Sequence, residues 1–529
     1  MSNFSSVHVP TSTQIAELRN LLRFGGFHGE IAIFRAAISA AAVDVDRYDS
    51  EIEKLPDQTE LNRLISERHT LASYIELCRS VLSPIHRLPN ELLELIFGWC
   101  FPSQAYKISS TATPEKEVER LSRFYLLELS RVCSRWSHIA MQAPQLWSDT
   151  VVDTRLWDRC PVPVGTLLDF LESSLDRGRE HPLSLEVCTL SQHHSSVFNL
   201  ISRHAPRWKA ASIWGTDEDN VLRACIGNLG RLEKLTLAGS WKDVETFQTA
   251  PRLRELIFSG SANQLPKIPW TQIQRCGYLD YSSNSSLSSR LSLLSLLTNA
   301  ANVKFALYLQ TSTIDEALDL NITTHIRHIQ LELSTTTRTR ATACQFLDNL
   351  TFPSLLSFCL HPPLHTRPPV WSSPHFLRLA TRSGFAQHLI RLVVHVLATE
   401  TELLRCLEAL PNLKWLSIMD CTSPGASATV ITDLLLQGLL SVPGSPSVIT
   451  PQLHSLTLNS VLDFTDSLYV DLVASRAESK SNDEFHANLW WLETRKRDVS
   501  AGALNKIAQL MAEKRLIFNS GEWRVRFPP

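Results

Sequence analysis

The sequence predicts a mixed α+β or α/β chain: a helical N-terminal segment, a short all-α unit, and then a long, irregular solenoid of short strands. Three observations predict it. Apolar residues recur at 3-4 spacing up to about residue 82, the period of a helix with one apolar face. Residues 83–148 are dense in helix formers, Leu and Trp. Beyond Trp147 the texture changes to short apolar pieces separated by Pro, Asn, Gly and Ser, the pattern of strands between turns.

Bulk properties narrow the function classes. The chain has 529 residues, enough for two to four domains, with 44% hydrophobic and 20% charged residues, the composition of a folded soluble protein. Its formal net charge of −2 offers no basic surplus, so no nucleic-acid partner is expected. The start, "MSNFSSVHVPTSTQ", lacks the features of a secretory signal. The longest smooth apolar run, Ala36 to Val43, is far short of the roughly 20 residues of a membrane span, so no membrane partner is expected. The 11 cysteines are odd in number and form no CxxC pair. They read as reduced, buried small hydrophobes in a cytoplasmic or nuclear protein.

In residues 1–82, Leu61, Leu64, Leu71, Ile75, Cys78 and Leu82 form a marginal coiled-coil-like pattern interrupted by Arg68. The simplest reading is an amphipathic helix packed on its own protein; a helix offered to a partner is the alternative.

The unit at 83–148 opens with "SPIHRLPNELLELIFGWC". With Leu92 at zero on a helical wheel, Leu95, Trp99, Ile96, Cys100, Leu93 and Phe97 follow at about 300°, 340°, 40°, 80°, 100° and 140°. This apolar arc of about 200° is twice the ~100° stripe that one core requires, so the helix is expected to be buried on two sides. Pro89 suits the first turn, Asn90 is the expected cap, and Glu91 favours the positive end of the helix dipole. A second segment, Leu121 to Met141, places Leu121, Tyr125, Leu126, Val132, Cys133, Trp136, Ile139 and Ala140 on one stripe, with Arg131 and Arg135 off it. It can cover one side of the first helix; the other side calls for a partner protein or another part of the chain. A polar insertion, Pro102 to Arg120, separates the two.

In residues 149–529, "GRLEKLTLAGS", "PRLRELIFSG", "PNLKWLSIMDC" and "PQLHSLTLNS" share the skeleton L-x-x-L-x-L or a near miss, with looser copies at His325 and Pro353. Intervals such as Leu235 to Leu256, Leu256 to Leu279 and Leu392 to Leu416 fall in the low twenties. They point to a leucine-rich-repeat-like solenoid. It is ragged: Phe358 to Leu392 spans the proline-rich stretch 361–374, read as a loop, and Leu416 to Leu456 is longer still. "YSSNSSLSSRLSLLSLL" from Tyr281 reads as a loop leading into a helix.

"LPNELLELIF", "LSRVCSRW" and "QLW" together resemble the F-box: Leu88-Pro89, Glu91-Leu92-Leu93, Ile96-Phe97, Val132-Cys133, Arg135-Trp136, Pro144 and Leu146-Trp147. With its lead-in "LCRSVLSPIHRLP", the stretch is similar to the large F-box families of mushroom-forming fungi, from which its polar insertion departs. The resemblance implies a Skp-type adaptor as partner and, through it, a cullin and a RING subunit. The chain would then be the substrate receptor of an SCF-type E3 ubiquitin ligase. It also implies that Leu88, Pro89, Leu92, Leu93, Ile96, Phe97, Val132 and Trp136 are shared between the domain core and the adaptor.

Motifs of common catalytic chemistries are absent: no GxGxxG, P-loop, GxSxG or HExxH occurs. His361 and His365 are separated by prolines, and no carboxylate or cysteine joins them at ligand spacing. His193-His194 and Arg495 to Arg497 read as solvated, and Cys421 as a buried core thiol. No enzyme activity, metal or cofactor is expected. The target is an unidentified protein, with Lys234, Arg254, Lys414 and His454 as candidate contacts on solvent-facing positions. The alternatives are an F-box scaffold acting outside ubiquitin transfer and an enzyme in the C-terminal region.

Overall fold

The computed structural model describes residues 9–24, 31–54, 58–100, 124–159, 162–188, 194–216, 221–241, 244–280, 285–308, 321–334, 340–363, 366, 368–420, 429–441, 448–460, 463–478, 484–491, 501–513 and 515–520. The chain divides into two compact units, Met1–Leu185 and Glu186–Pro529, so segments 1–82 and 83–148 lie in one unit.

Unit 1 begins with helices α1 (Ser12–Phe24), α2 (Ile31–Ile52) and α3 (Gln58–Leu82). The apolar face of α3 is used inside the unit. Leu64, Leu71 and Ile75 pack with Ala41 and Tyr48 of α2, and Cys78 and Val81 pack with Leu18 of α1. Arg68, the interruption in the apolar pattern, reaches across to Asp49 of α2 at 2.9 Å. The Tyr48 hydroxyl donates to Glu67 at 2.9 Å.

Next come α4 (Asn90–Trp99), α5 (Phe124–Ser130) and α6 (Ser134–Gln142). Their core joins Leu93, Phe97, Leu126, Ile139, Ala140, Leu146 and Trp147. Full burial of a Leu or Phe side chain contributes about 1.5–3 kcal/mol, so this small core depends on a few residues. The Trp147 indole donates to the Ala140 carbonyl at 2.8 Å. The second segment is two helices. Its chain breaks at 131–133, and Cys133 caps α6 through its sulfur, which accepts from the Trp136 amide. The insertion at 102–120 lies outside the described residues. Strand β1 (Asp149–Asp153), helix α7 (Val164–Arg177) and the start of β2 (Leu183–Cys188) complete the unit.

Unit 2 is built on a parallel sheet of β3 (Trp208–Thr216), β4 (Lys234–Ser240), β5 (Glu255–Ser259), β6 (Arg275–Asp280), β7 (Asn302–Tyr308), β9 (His328–Ser334), β11 (Ser357–His361), β12 (Arg391–His395), β13 (Trp415–Met419), β14 (Ser455–Ser460), β15 (Phe485–Trp491) and β16 (Leu516–Ser520), adjacent in that order. A separate parallel pair holds β8 (Ile322–Thr323) and β10 (Leu350–Thr351). Parallel neighbours require crossovers. These crossovers carry helices such as Leu287–Leu296, Ser373–Ser383 and Asp433–Leu439.

Side chains alternate across the sheet, and two inward columns form the core. One runs through Leu235, Leu256, Cys276, Val303, Ile329, Phe358, Leu392, Leu416 and Leu456, each 4% exposed or less. The other runs through Leu237, Phe258, Tyr278, Phe305, Leu331, Leu360, Val394, Ile418 and Leu458. The register corrects one expected repeat: Leu256 pairs with Cys276, whereas Leu279 lies opposite Ser259. The long intervals after Phe358 and Leu416 hold helices Ser373–Ser383 and Asp433–Leu439 and leave the register intact. The proline-rich stretch therefore ends in a helix, with Pro374 in its first turn.

Two buried cations of this unit are satisfied. Arg290 pairs with Asp280 at 2.7 Å, and Arg476 donates to the carbonyls of Leu439, Ile449 and Thr450.

Candidate partner-binding face

Helix α4 starts where the chain leaves a short 3-10 turn, Pro84–Arg87. Pro89 occupies the N-cap position, and no side chain caps the helix. This corrects the expectation for Asn90, whose side-chain oxygen instead accepts from Arg135 at 2.9 and 3.0 Å. Arg135, expected off the apolar stripe, is buried. It also donates to the backbone carbonyls of His86 and Leu88. One guanidinium thus ties the lead-in turn, the start of α4 and helix α6 together. Burial, and then the charge of Arg135, hold the pKa of His86 below its usual value.

The wide apolar arc of α4 splits in two. Leu93 and Phe97, at about 100° and 140° on the wheel, are fully enclosed. Leu92 is 45% exposed, Leu95 53%, Ile96 36% and Trp99 81%. These four occupy the adjoining arc from about 300° to 40°. The rod is therefore packed on one side and bare on the other. Val132, in the break between α5 and α6, adds a further apolar side chain at 60% exposure. Cys100 is also exposed. A cluster of large apolar side chains open to water marks an interaction surface, because isolated soluble domains rarely leave one uncovered.

The sequence-predicted residues sort accordingly. Pro89, Leu92, Ile96 and Val132 face solvent. Leu88 is half-buried against the core. Leu93 and Phe97 lie beneath the surface, and Trp136 is half-buried with its ring 4.9 Å from that of Phe97. Sequence reasoning left out Leu95 and Trp99, the two most exposed apolar residues of the helix, although the wheel places them beside Leu92.

Residues 85–153 match the family model for the F-box-like domain. This segment of the chain is an F-box-like domain. Its described core is the one formed by α4, α5 and α6, and its bare face is the outer side of α4. No curated protein matches the chain. Among solved structures, a chain of the crystal structure of the Rad7 and Elc1 complex in yeast aligns at 12% identity, over 75% of this chain and 98% of that one, with a TM-score of 0.33. A likeness at that level decides nothing about fold or partner.

In unit 2, Arg254 and Lys414 are exposed in the turns just before β5 and β13. His454 is half-buried before β14, its ring against the Gln452 carbonyl. Lys234 starts β4 and lies 3.4 Å from Glu255. His361 faces Gln330 at 2.9 Å. No group of three potential metal ligands occurs among the described residues. His193, His365, Cys421 and Arg495 to Arg497 lie outside them.

Proposed function

We propose that the chain is the substrate receptor of an SCF-type ubiquitin ligase. Its F-box-like domain docks a Skp-type adaptor, which brings a cullin and a RING subunit. Unit 2, read as an irregular leucine-rich-repeat-like solenoid, holds the target protein. The chain itself performs no catalysis; it raises the local concentration of target lysines near the charged enzyme.

The observation that carries this reading is the bare face of α4: Leu92, Leu95, Ile96 and Trp99 exposed on a domain whose own core is already complete. Apolar anchors of this size, grouped at the centre of an interface, dominate binding energy. The test is co-expression with a Skp-type adaptor. The double variant Leu92→Asp, Ile96→Asp should lose adaptor co-purification while residues 150–529 stay folded by limited proteolysis. Undiminished recovery of the adaptor contradicts the reading.

A further inference from the structure

We propose that the outer face of the sheet in unit 2, around β12 to β14, is a docking groove for an acidic peptide segment. That this segment belongs to a ubiquitination target rests on the receptor reading; the groove chemistry does not.

Strand register builds the groove. Arg391, Trp415 and Ser455 stand side by side at the starts of β12, β13 and β14. Ser417 and Thr457 form the next outward row. Together with the exposed His328 they line a depression of about 460 Å³. That is within the range of roughly 300–1,000 Å³ usual for ligand sites and has room for a few side chains. The backbone groups of these strands are consumed by the parallel ladders, so recognition falls to side chains. Those side chains are an indole 47% exposed, a guanidinium and a row of hydroxyls. Trp and Arg are the residue types that most often anchor interfaces.

Charge selects the occupant. No residue lining the groove is acidic. Exposed Arg327 and Lys414 lie in the turns just before β9 and β13. Among the described residues, Arg391, Arg327 and Lys414 make no ion pair, whereas Lys234, Arg275 and Lys304 on the same sheet are matched to Glu255 or Glu332. Unmatched cations around an exposed indole favour a segment with carboxylates flanking an apolar side chain. A second copy of the chain docked groove to groove would bring the same cations and be repelled. A nucleic-acid strand has a charge on every nucleotide, while this face turns mixed in sign at Glu255 and Glu332.

The experiment is selection of phage-displayed random dodecapeptides on the full-length chain, counter-selected on Arg391→Glu and Trp415→Ala variants. Both side chains are exposed, so thermal unfolding should match the parent. The expected result is a consensus with net negative charge around an apolar residue. A synthetic copy should bind each variant about tenfold more weakly or worse, a loss of about 1.4 kcal/mol. No enrichment, a neutral or basic consensus, or undiminished binding to both variants overturns the proposal. So does tighter binding of oligo-dT that is lost in the same variants. The selection uses no adaptor, and the Leu92→Asp, Ile96→Asp chain should select the same peptides, so failure of the receptor reading and failure of the groove are separable.

Discussion

At the residue scale, Arg135 shows how one side chain holds the F-box-like domain together. Its guanidinium satisfies the Asn90 side chain and two backbone carbonyls in a part-buried site. Arg135→Met strands those acceptors and should destabilise unit 1 by about 2–3 kcal/mol, measured by urea unfolding. Arg135→Lys should recover only part of this, because an ammonium cannot reach several acceptors in the guanidinium's fork geometry. The helical wheel could not find this role, since it assigns a face and says nothing of what a long side chain can reach. His395 gives a second prediction. Burial, with the charge of His361, lowers its pKa from 6.5 to about 4. The unfolded chain takes up a proton near pH 6.5 that the folded site refuses. The contribution of His395 to stability is therefore complete above pH 6.5 and falls as pH drops towards about 4. His395→Gln should flatten that part of the stability curve of unit 2; an unchanged slope assigns it to other groups.

At the scale of the element, α4 carries opposite consequences at neighbouring positions. Leu93→Ala should cost about 2–5 kcal/mol of unit 1 stability, while Leu92→Ala should change it by no more than about 0.5 kcal/mol. Chemical denaturation of the two variants measures the division directly. The excess apolar arc of α4 was legible in the sequence. Which half turned inward was not, because that depends on where α6 and the turn at Pro144–Trp147 pack. Val132 misled the stripe reading for a local reason: the chain breaks at 131–133, so helical angles do not carry across it. In unit 2, Gly239 has φ +123° and faces the backbone carbonyl of Gly215 across β3 and β4. A side chain there meets both strain and backbone. Gly239→Ala should therefore lower the thermal midpoint of unit 2, whereas Gly230→Ala, with open space around it, should leave the midpoint almost unchanged.

At the scale of the whole molecule, the repeats were legible where leucine holds both inward columns, as in β4 and β14. They were obscured where Cys276, Tyr278, Val303 and Phe305 take those places, because the core accepts any apolar shape that fills the column. The ragged intervals come from crossovers of different length over a constant strand register, which a fixed-period search cannot see. The bare apolar face of the F-box-like domain was legible in part: Pro89, Leu92, Ile96 and Val132 are exposed, while Leu95 and Trp99 emerge only once the packed side of α4 is known. Those two residues supply the most direct test of the receptor account. Isothermal titration of a purified Skp-type adaptor into the full-length chain should show saturable one-to-one binding. Leu95→Asp with Trp99→Ala should weaken it about 30-fold or more, the loss of at least one anchor of about 2 kcal/mol. Adaptor binding of equal strength by the double variant, or none by the parent chain, would contradict the account.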